Sequence, residues 1–169
     1  MSAPPVLFGV DLVEVDRVDR AVALSGPVYL GHMNAPDEPG LHDNPTLAVA
    51  ASVAVKECLV KAVGGRPPGF SWHDFVARGD IPFAGFEWAR PLLDAAEPEI
   101  VAATEVALSR SCVYTVRGAS RVAALTRFTT DPAGGGLAVA GAARWGWSGN
   151  LIVAFAIIIT FPEGVDPCP

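Results

Sequence analysis

Residues Leu151–Phe161 read LIVAFAIIITF, eleven consecutive positions with a single hydroxyl among them. A bilayer-crossing helix needs roughly 18–20 apolar residues, so this run cannot be one. Its length and its β-branched content suit a strand buried in a protein interior. The rest of the chain can enclose it: 169 residues, 51% hydrophobic, are enough for one domain with a full core. A charged fraction of 18% excludes an intrinsically disordered chain. Twelve Lys+Arg against eighteen Asp+Glu leave a net charge of −6, which gives no basic field for a general nucleic-acid binder. The opening MSAPPVLFGVDLVEVDR lacks a basic start and is interrupted by Asp11 and Glu14, so no signal peptide and no membrane association are expected. Cys58, Cys112 and Cys168 form an odd set without C-x-x-C spacing, pointing to reduced thiols in a cytoplasmic protein.

Along the chain, Val6–Val15 predicts a strand with Phe8, Val10 and Leu12 on one face and Leu7, Gly9, Asp11 and Val13 on the other. Asp16 is placed to cap a short helix, Arg17–Leu24, ended by Gly26-Pro27. A loop is expected over Gly31–Pro45 and a helix over Thr46–Val63, stopped by Gly64-Gly65. Phe70–Arg78 and Ile81–Phe86 read as strands or strand-like turns, and Pro91–Arg110 as a second helix. Cys112–Val116 and Val122–Phe128 predict a hairpin around Arg117-Gly118-Ala119-Ser120. Leu137–Trp145 and Leu151–Phe161 predict another through Trp147-Ser148-Gly149-Asn150, after a flexible loop at Asp131–Gly136. The expectation is a single domain over residues 1–161, with 162–169 a frayed tail.

The helix at 46–63 carries the chemistry. Ten of the twelve basic residues are arginines; the two lysines, Lys56 and Lys61, both fall in LAVAASVAVKECLVKAV around Glu57. Glu57 and Lys61, four residues apart, share a helix face, and Lys56 points about 100° away. As an exposed ion pair they would contribute ~0.3–0.5 kcal/mol to the helix. The positions one turn back, Ala50, Val53 and Ala54, are apolar, and charge in such a surround has to be either compensated or functional. Asp11, on the mostly apolar second face of the first strand, adds a second carboxylate. Two carboxylates and a lysine form a workable set for a phosphate-bound Mg²⁺, which takes one or two carboxylates, waters and phosphate oxygens. A turn or cap role for Asp11 is the competing reading.

GVDLVEVDRV (Gly9–Val18), followed by VAVKECLVKAVG (Val53–Gly64) and then FSWHDF (Phe70–Phe75), resembles the signature of the 4′-phosphopantetheinyl transferases, in the short holo-acyl-carrier-protein synthase group. The resemblance implies an α+β fold, with helices packed on an antiparallel sheet. It also implies transfer of the phosphopantetheine arm of coenzyme A to a serine of an acyl or peptidyl carrier protein, releasing 3′,5′-ADP, in fatty-acid, polyketide or peptide synthesis. On this reading Asp11 and Glu57 hold Mg²⁺ and Lys61 offsets charge on the leaving group. Glu57 or a metal-bound water deprotonates the serine. Lys56, Lys61 and Arg117 are the candidate coenzyme A contacts, and Arg17 and Arg20 the candidate carrier-docking residues. A homotrimer with sites between subunits is a further implication.

The chain also departs from the pattern. Ser52 and Val53 stand where the family has an arginine and an aromatic, and the S-H-T turn is missing. If Leu151–Phe161 is the family's last strand, the histidine position falls on Trp147. If the Cys112–Phe128 hairpin is the equivalent, Arg117 takes that place and 129–161 is an extra hairpin; this is the register the order of elements favours. Glu38 is either the match to the family's T-x-x-E segment or part of a solvated acidic loop, Asn34–Glu38. His32, His42 and His73 lack metal spacing and read as structural or surface residues, and Trp72, Trp88, Trp145 and Trp147 as core and rim. Two other readings stay open. One is a catalytically inactive, transferase-like module that binds coenzyme A or a carrier; the other is a different coenzyme A- or nucleotide-dependent enzyme.

Overall fold

The long apolar run occupies a strand, Leu151–Pro162, in the interior of a five-stranded antiparallel sheet. The structure, a computed structural model, describes residues 5–78, 89–130 and 134–163. The expected strand at 81–86, Trp88, residues 131–133 of the expected loop, Cys168 and most of the 162–169 tail lie outside the described residues. Within them the order is β1 (Leu7–Glu14), α1 (Val15–Met33), α2 (Pro45–Ala62), β2 (Phe75–Ala77), α3 (Arg90–Thr104), β3 (Arg110–Val116), α4 (Gly118–Phe128), β4 (Leu137–Ser148) and β5 (Leu151–Pro162). The sheet order is β1-β5-β4-β3-β2, with every neighbouring pair antiparallel. This is the expected α+β class.

β5 is apolar on both faces because both faces are covered. Ile152, Ala154, Ala156 and Ile158 join the core cluster that contains Ala50, Ala54, Cys58 and Leu59 of α2. Val153, Phe155 and Ile157 point the other way, into a second cluster with Leu93 of α3, Val106 and Leu108. A strand enclosed on two sides has no polar alternation to show. Arg144 of β4, 8% exposed in its side chain, ties α3 to that second face through Asp94 (2.5 Å) and Glu97.

Helix α2 matches its expected span. Pro45 opens it and the Asn44 side chain accepts from Leu47 N at 3.1 Å. It crosses β1 closely: a Cβ at Gly9 would stand 2.0 Å from the Cys58 carbonyl oxygen. The glycine two residues before Asp11 is thus what lets helix and strand meet there.

Four expectations need correction. α1 starts at Val15 and does not stop at Gly26-Pro27. Gly26 adopts φ 47°, ψ −127°, which bends the helix, and the chain resumes helical turns to Met33. The loop therefore begins at Asn34. α3 ends at Thr104, six residues early, because Glu105 turns left-handed (φ 58°) and frees the chain to enter β3.

The Cys112–Phe128 hairpin does not exist. Residues 118–128 are α4, whose inward face is Ser120, Ala124 and Leu125 at helical spacing while Val122 is 55% exposed. The Asp74 carboxylate holds its first turn, accepting from Ser120 N (3.0 Å) and Ser120 Oγ (2.8 Å). Nor are β4 and β5 an added hairpin. They are interior strands of the sheet, paired from Leu137↔Pro162 to Ser148↔Leu151.

Candidate active site

Asp11 faces α2 because it shares the Gly9 face of β1. Lys61, in the last turn of α2, donates to Asp11 Oδ1 at 2.6 Å and to the Val10 carbonyl at 2.9 Å. The aspartate side chain is 16% exposed and the lysine 52%. This bond, more than any other influence, raises the Lys61 pKa above its ordinary 10.5. Glu57, one turn earlier on the same helix face, does not pair with Lys61 as the i,i+4 spacing suggests. It accepts instead from Arg66 at 3.3 Å. Its charge still adds to the upward shift at Lys61. Asp11 thus bonds the Lys61 ammonium directly, Glu57 acts on it through charge alone, and each carboxylate has its own cation.

Arg66 was not among the residues the sequence singled out. It follows Gly64-Gly65, both with positive φ, and its guanidinium lies 4.7 Å from the Trp72 ring centroid and 5.6 Å from that of Phe70. The signal was there: an arginine directly behind a glycine pair that ends the helix, four residues before an aromatic. Arg127 was missed as well; its guanidinium lies against Gly64, where a Cβ would stand 2.4 Å from it.

Lys56 is not part of this surface. Its side chain is wholly buried, and Nζ donates to Met33 O (2.6 Å) and Glu38 Oε2 (2.8 Å). Burial lowers its pKa and Glu38 opposes the shift. The reading of Lys56 as a coenzyme contact is corrected to an internal strut. The solvated-loop reading of Glu38 falls with it. That carboxylate is 2% exposed and also accepts from Ala77 N (2.9 Å) and Ala35 N (3.0 Å), joining the loop to α2 and β2.

Arg117 is corrected in its placement only. It precedes α4, not a hairpin turn, and its Nε donates to the His73 carbonyl at 2.8 Å. The hairpin that does exist carries Trp147, packed edge-on against His42 at 5.1 Å. Arg17 and Arg20 are exposed on α1. Burial raises the Tyr29 pKa, with the Arg17 charge opposing the shift and the Glu57 charge adding to it. His73 bonds Gly31 O (2.9 Å) and His42 accepts from Asn44 N, so both are structural. Trp72 and Trp145 are buried, and Trp147 is partly so.

Among the described residues no three His, Cys, Asp or Glu side chains gather as a metal cluster. Two carboxylates fit a hard cation that completes its shell with water and substrate phosphate, and do not fit an all-protein cage. The site and the sheet together define an α+β domain whose partly exposed carboxylates and lysine lie where β1 meets the last turns of α2.

No family model matches the chain. Curated proteins do. It is 42% identical over 80 residues to the holo-acyl-carrier-protein synthase of Clavibacter sepedonicus, covering 45% of this chain and 63% of that protein. Against the synthase of Koribacter versatilis it is 38% identical over 71 residues, covering 40% and 57%. Against that of Photobacterium profundum it is 34% identical over 90 residues, covering 51% and 67%. The match thus spans about three fifths of the first two relatives. The fold is similar to the crystal structure of the Neisseria meningitidis synthase (TM-score 0.55, 16% identity, 90% of this chain and 96% of that one). It is similar also to the Helicobacter pylori synthase in complex with coenzyme A (TM-score 0.53, 16% identity, 92% and 100%). The chain belongs to the holo-acyl-carrier-protein synthase family.

Proposed function

We propose that the chain is a Mg²⁺-dependent 4′-phosphopantetheinyl transferase. The observation that carries the reading is the pair of ion pairs Asp11–Lys61 and Glu57–Arg66, each carboxylate on a different element and both partly open to solvent. Phosphoryl-group transfer needs little covalent help from a protein; positioning and charge stabilisation do most of the work. Magnesium, when bound, would polarise the coenzyme A diphosphate and offset its charge.

The residues then divide the task. Asp11 and Glu57 supply carboxylate oxygens to the metal. Lys61 keeps a positive charge beside the oxygen that leaves with 3′,5′-ADP. Glu57 takes the proton of the carrier serine as its Oγ forms a bond to the β-phosphorus. The bond from that phosphorus to the bridging oxygen breaks, and the electron pair leaves with 3′,5′-ADP. Arg17 and Arg20 give an acidic carrier a local basic footing on a chain of net charge −6. A homotrimer belongs to the same proposal, supported by Phe8 and Leu12, apolar side chains 45% and 54% exposed on the edge strand. So does a cytoplasmic location; no helix among the described residues is long and apolar enough to cross a membrane.

The test is incubation of the protein with apo acyl or peptidyl carrier proteins, coenzyme A and Mg²⁺, read by mass spectrometry. A mass gain equal to the phosphopantetheine arm, lost with EDTA, is expected. Coenzyme A binding without modification of any carrier would instead establish the inactive module, which the missing S-H-T turn favours.

A further inference from the structure

The reading so far leaves Arg66 unused, yet its placement is more constrained than a surface ion pair requires. The residue sits in Gly64-Gly65-Arg66-Pro67-Pro68-Gly69, where three glycines hold positive φ and two prolines limit the backbone. Its guanidinium carbon lies 4.7 Å from the Trp72 ring centroid and 5.6 Å from that of Phe70, cation–π distances that restrain the group. The side chain remains 56% exposed, and its one bond to Glu57 is single and long at 3.3 Å. A guanidinium has five donors in a fork that matches phosphate oxygens, so most of that capacity is left over.

We infer that Arg66 is a diphosphate-binding residue of the site. It is held beside Glu57 in the free protein and turns its remaining donors to the substrate's diphosphate oxygens when that carboxylate engages a metal. The inference rests on the proposed function and deepens it. Lys61 and Arg66 then act as a matched pair. Each is paired with one of the two carboxylates, and each becomes available to phosphate when its carboxylate is drawn to the cation.

Titration calorimetry tests this with coenzyme A and with dephospho-coenzyme A, each in EDTA and in Mg²⁺. In Mg²⁺, Arg66→Gln is expected to weaken both ligands about tenfold, as for a lost charge-assisted bond, and in EDTA by much less, with Arg66→Lys intermediate and the melting temperature close to that of the unaltered protein. If Arg66→Gln binds both ligands as tightly as the unaltered protein while Glu57→Gln does not, the inference is overturned and the proposed function survives. Weakening confined to coenzyme A would place Arg66 on the ribose phosphate and overturn the diphosphate assignment. If the unaltered protein binds neither ligand, the proposed function fails and takes the inference with it.

Discussion

Gly9 and Cys58 approach so closely that the strand and the helix touch backbone to backbone: any Cβ at position 9 would stand 2.0 Å from the Cys58 carbonyl oxygen. The same approach brings Lys61 to Asp11 at 2.6 Å. Gly9→Ala must push α2 off β1, since the obstacle is main chain and cannot rotate away. Overpacking of this kind costs ~1–3 kcal/mol or more. Urea unfolding is expected to show that loss, and turnover per folded molecule to fall further than the loss in stability explains. Full activity at normal stability would show that the close crossing is not what builds the site.

Asp11 and Glu57 are expected to fail differently from Lys61. Asp11→Asn and Glu57→Gln each remove a metal carboxylate, and raising Mg²⁺ should recover part of the activity of either. Lys61→Met leaves the metal dependence alone and lowers the rate by roughly 10²–10³, the range for one lost charge-stabilising donor. Steady-state rates across a Mg²⁺ series separate the two patterns, and a Glu57→Gln variant with full activity at low Mg²⁺ would contradict the metal role.

The two lysines titrate in opposite directions. The Lys61 pKa is raised above 10.5, chiefly by the bond from Asp11. Its stabilising contribution is therefore present below 10.5 and lost as pH rises through the raised value. Burial lowers the Lys56 pKa below 10.5, so the unfolded chain holds more protons between the lowered value and 10.5, and the Lys56 contribution improves with pH there. Asp11→Asn should bring the Lys61 titration down toward 10.5 and leave Lys56 where it is, as read by NMR of the lysine side chains.

Lys56 should prove structural. Removing one partner of a buried ion pair leaves the other charge uncompensated, at a cost of ~3–5 kcal/mol. Lys56→Met is expected to lose about that much in denaturant unfolding while the folded fraction keeps its KM for coenzyme A. A raised KM would return Lys56 to the coenzyme site.

Asp74 links FSWHDF to α4. Its carboxylate bonds Ser120 twice and forms the capping box with Ser71. Asp74→Ala should loosen the start of α4, costing about 1–2 kcal/mol for the cap, with faster amide exchange in residues 119–122 as the local signature.

The strand at β1, the α2 helix and the interior β5 were legible in the amino-acid order, since each has a strong apolar pattern with clear stops. Asp11, Glu57 and Lys61 stood out as candidates, because few charges interrupt α2 and Asp11 stands on a mostly apolar face of the strand. The α4 segment was not. Val122–Phe128 is short enough for its apolar residues to suit either period, and what decides is the Asp74 carboxylate at its first turn, far away in the chain.

Pairing of charges was the other thing left open. Along an isolated helix Glu57 and Lys61 are partners, and Lys56 is free. In the folded chain β1 offers Asp11 to Lys61, the loop after α2 offers Arg66 to Glu57, and the 34–44 loop folds Glu38 over Lys56. Composition and spacing determined which residues are charged and which helix face they occupy. Only tertiary structure decided which of those charges are solvent-accessible and which are internal. Desolvation and the choice of partner depend on segments 9–50 residues distant in sequence, and no local pattern carries that information.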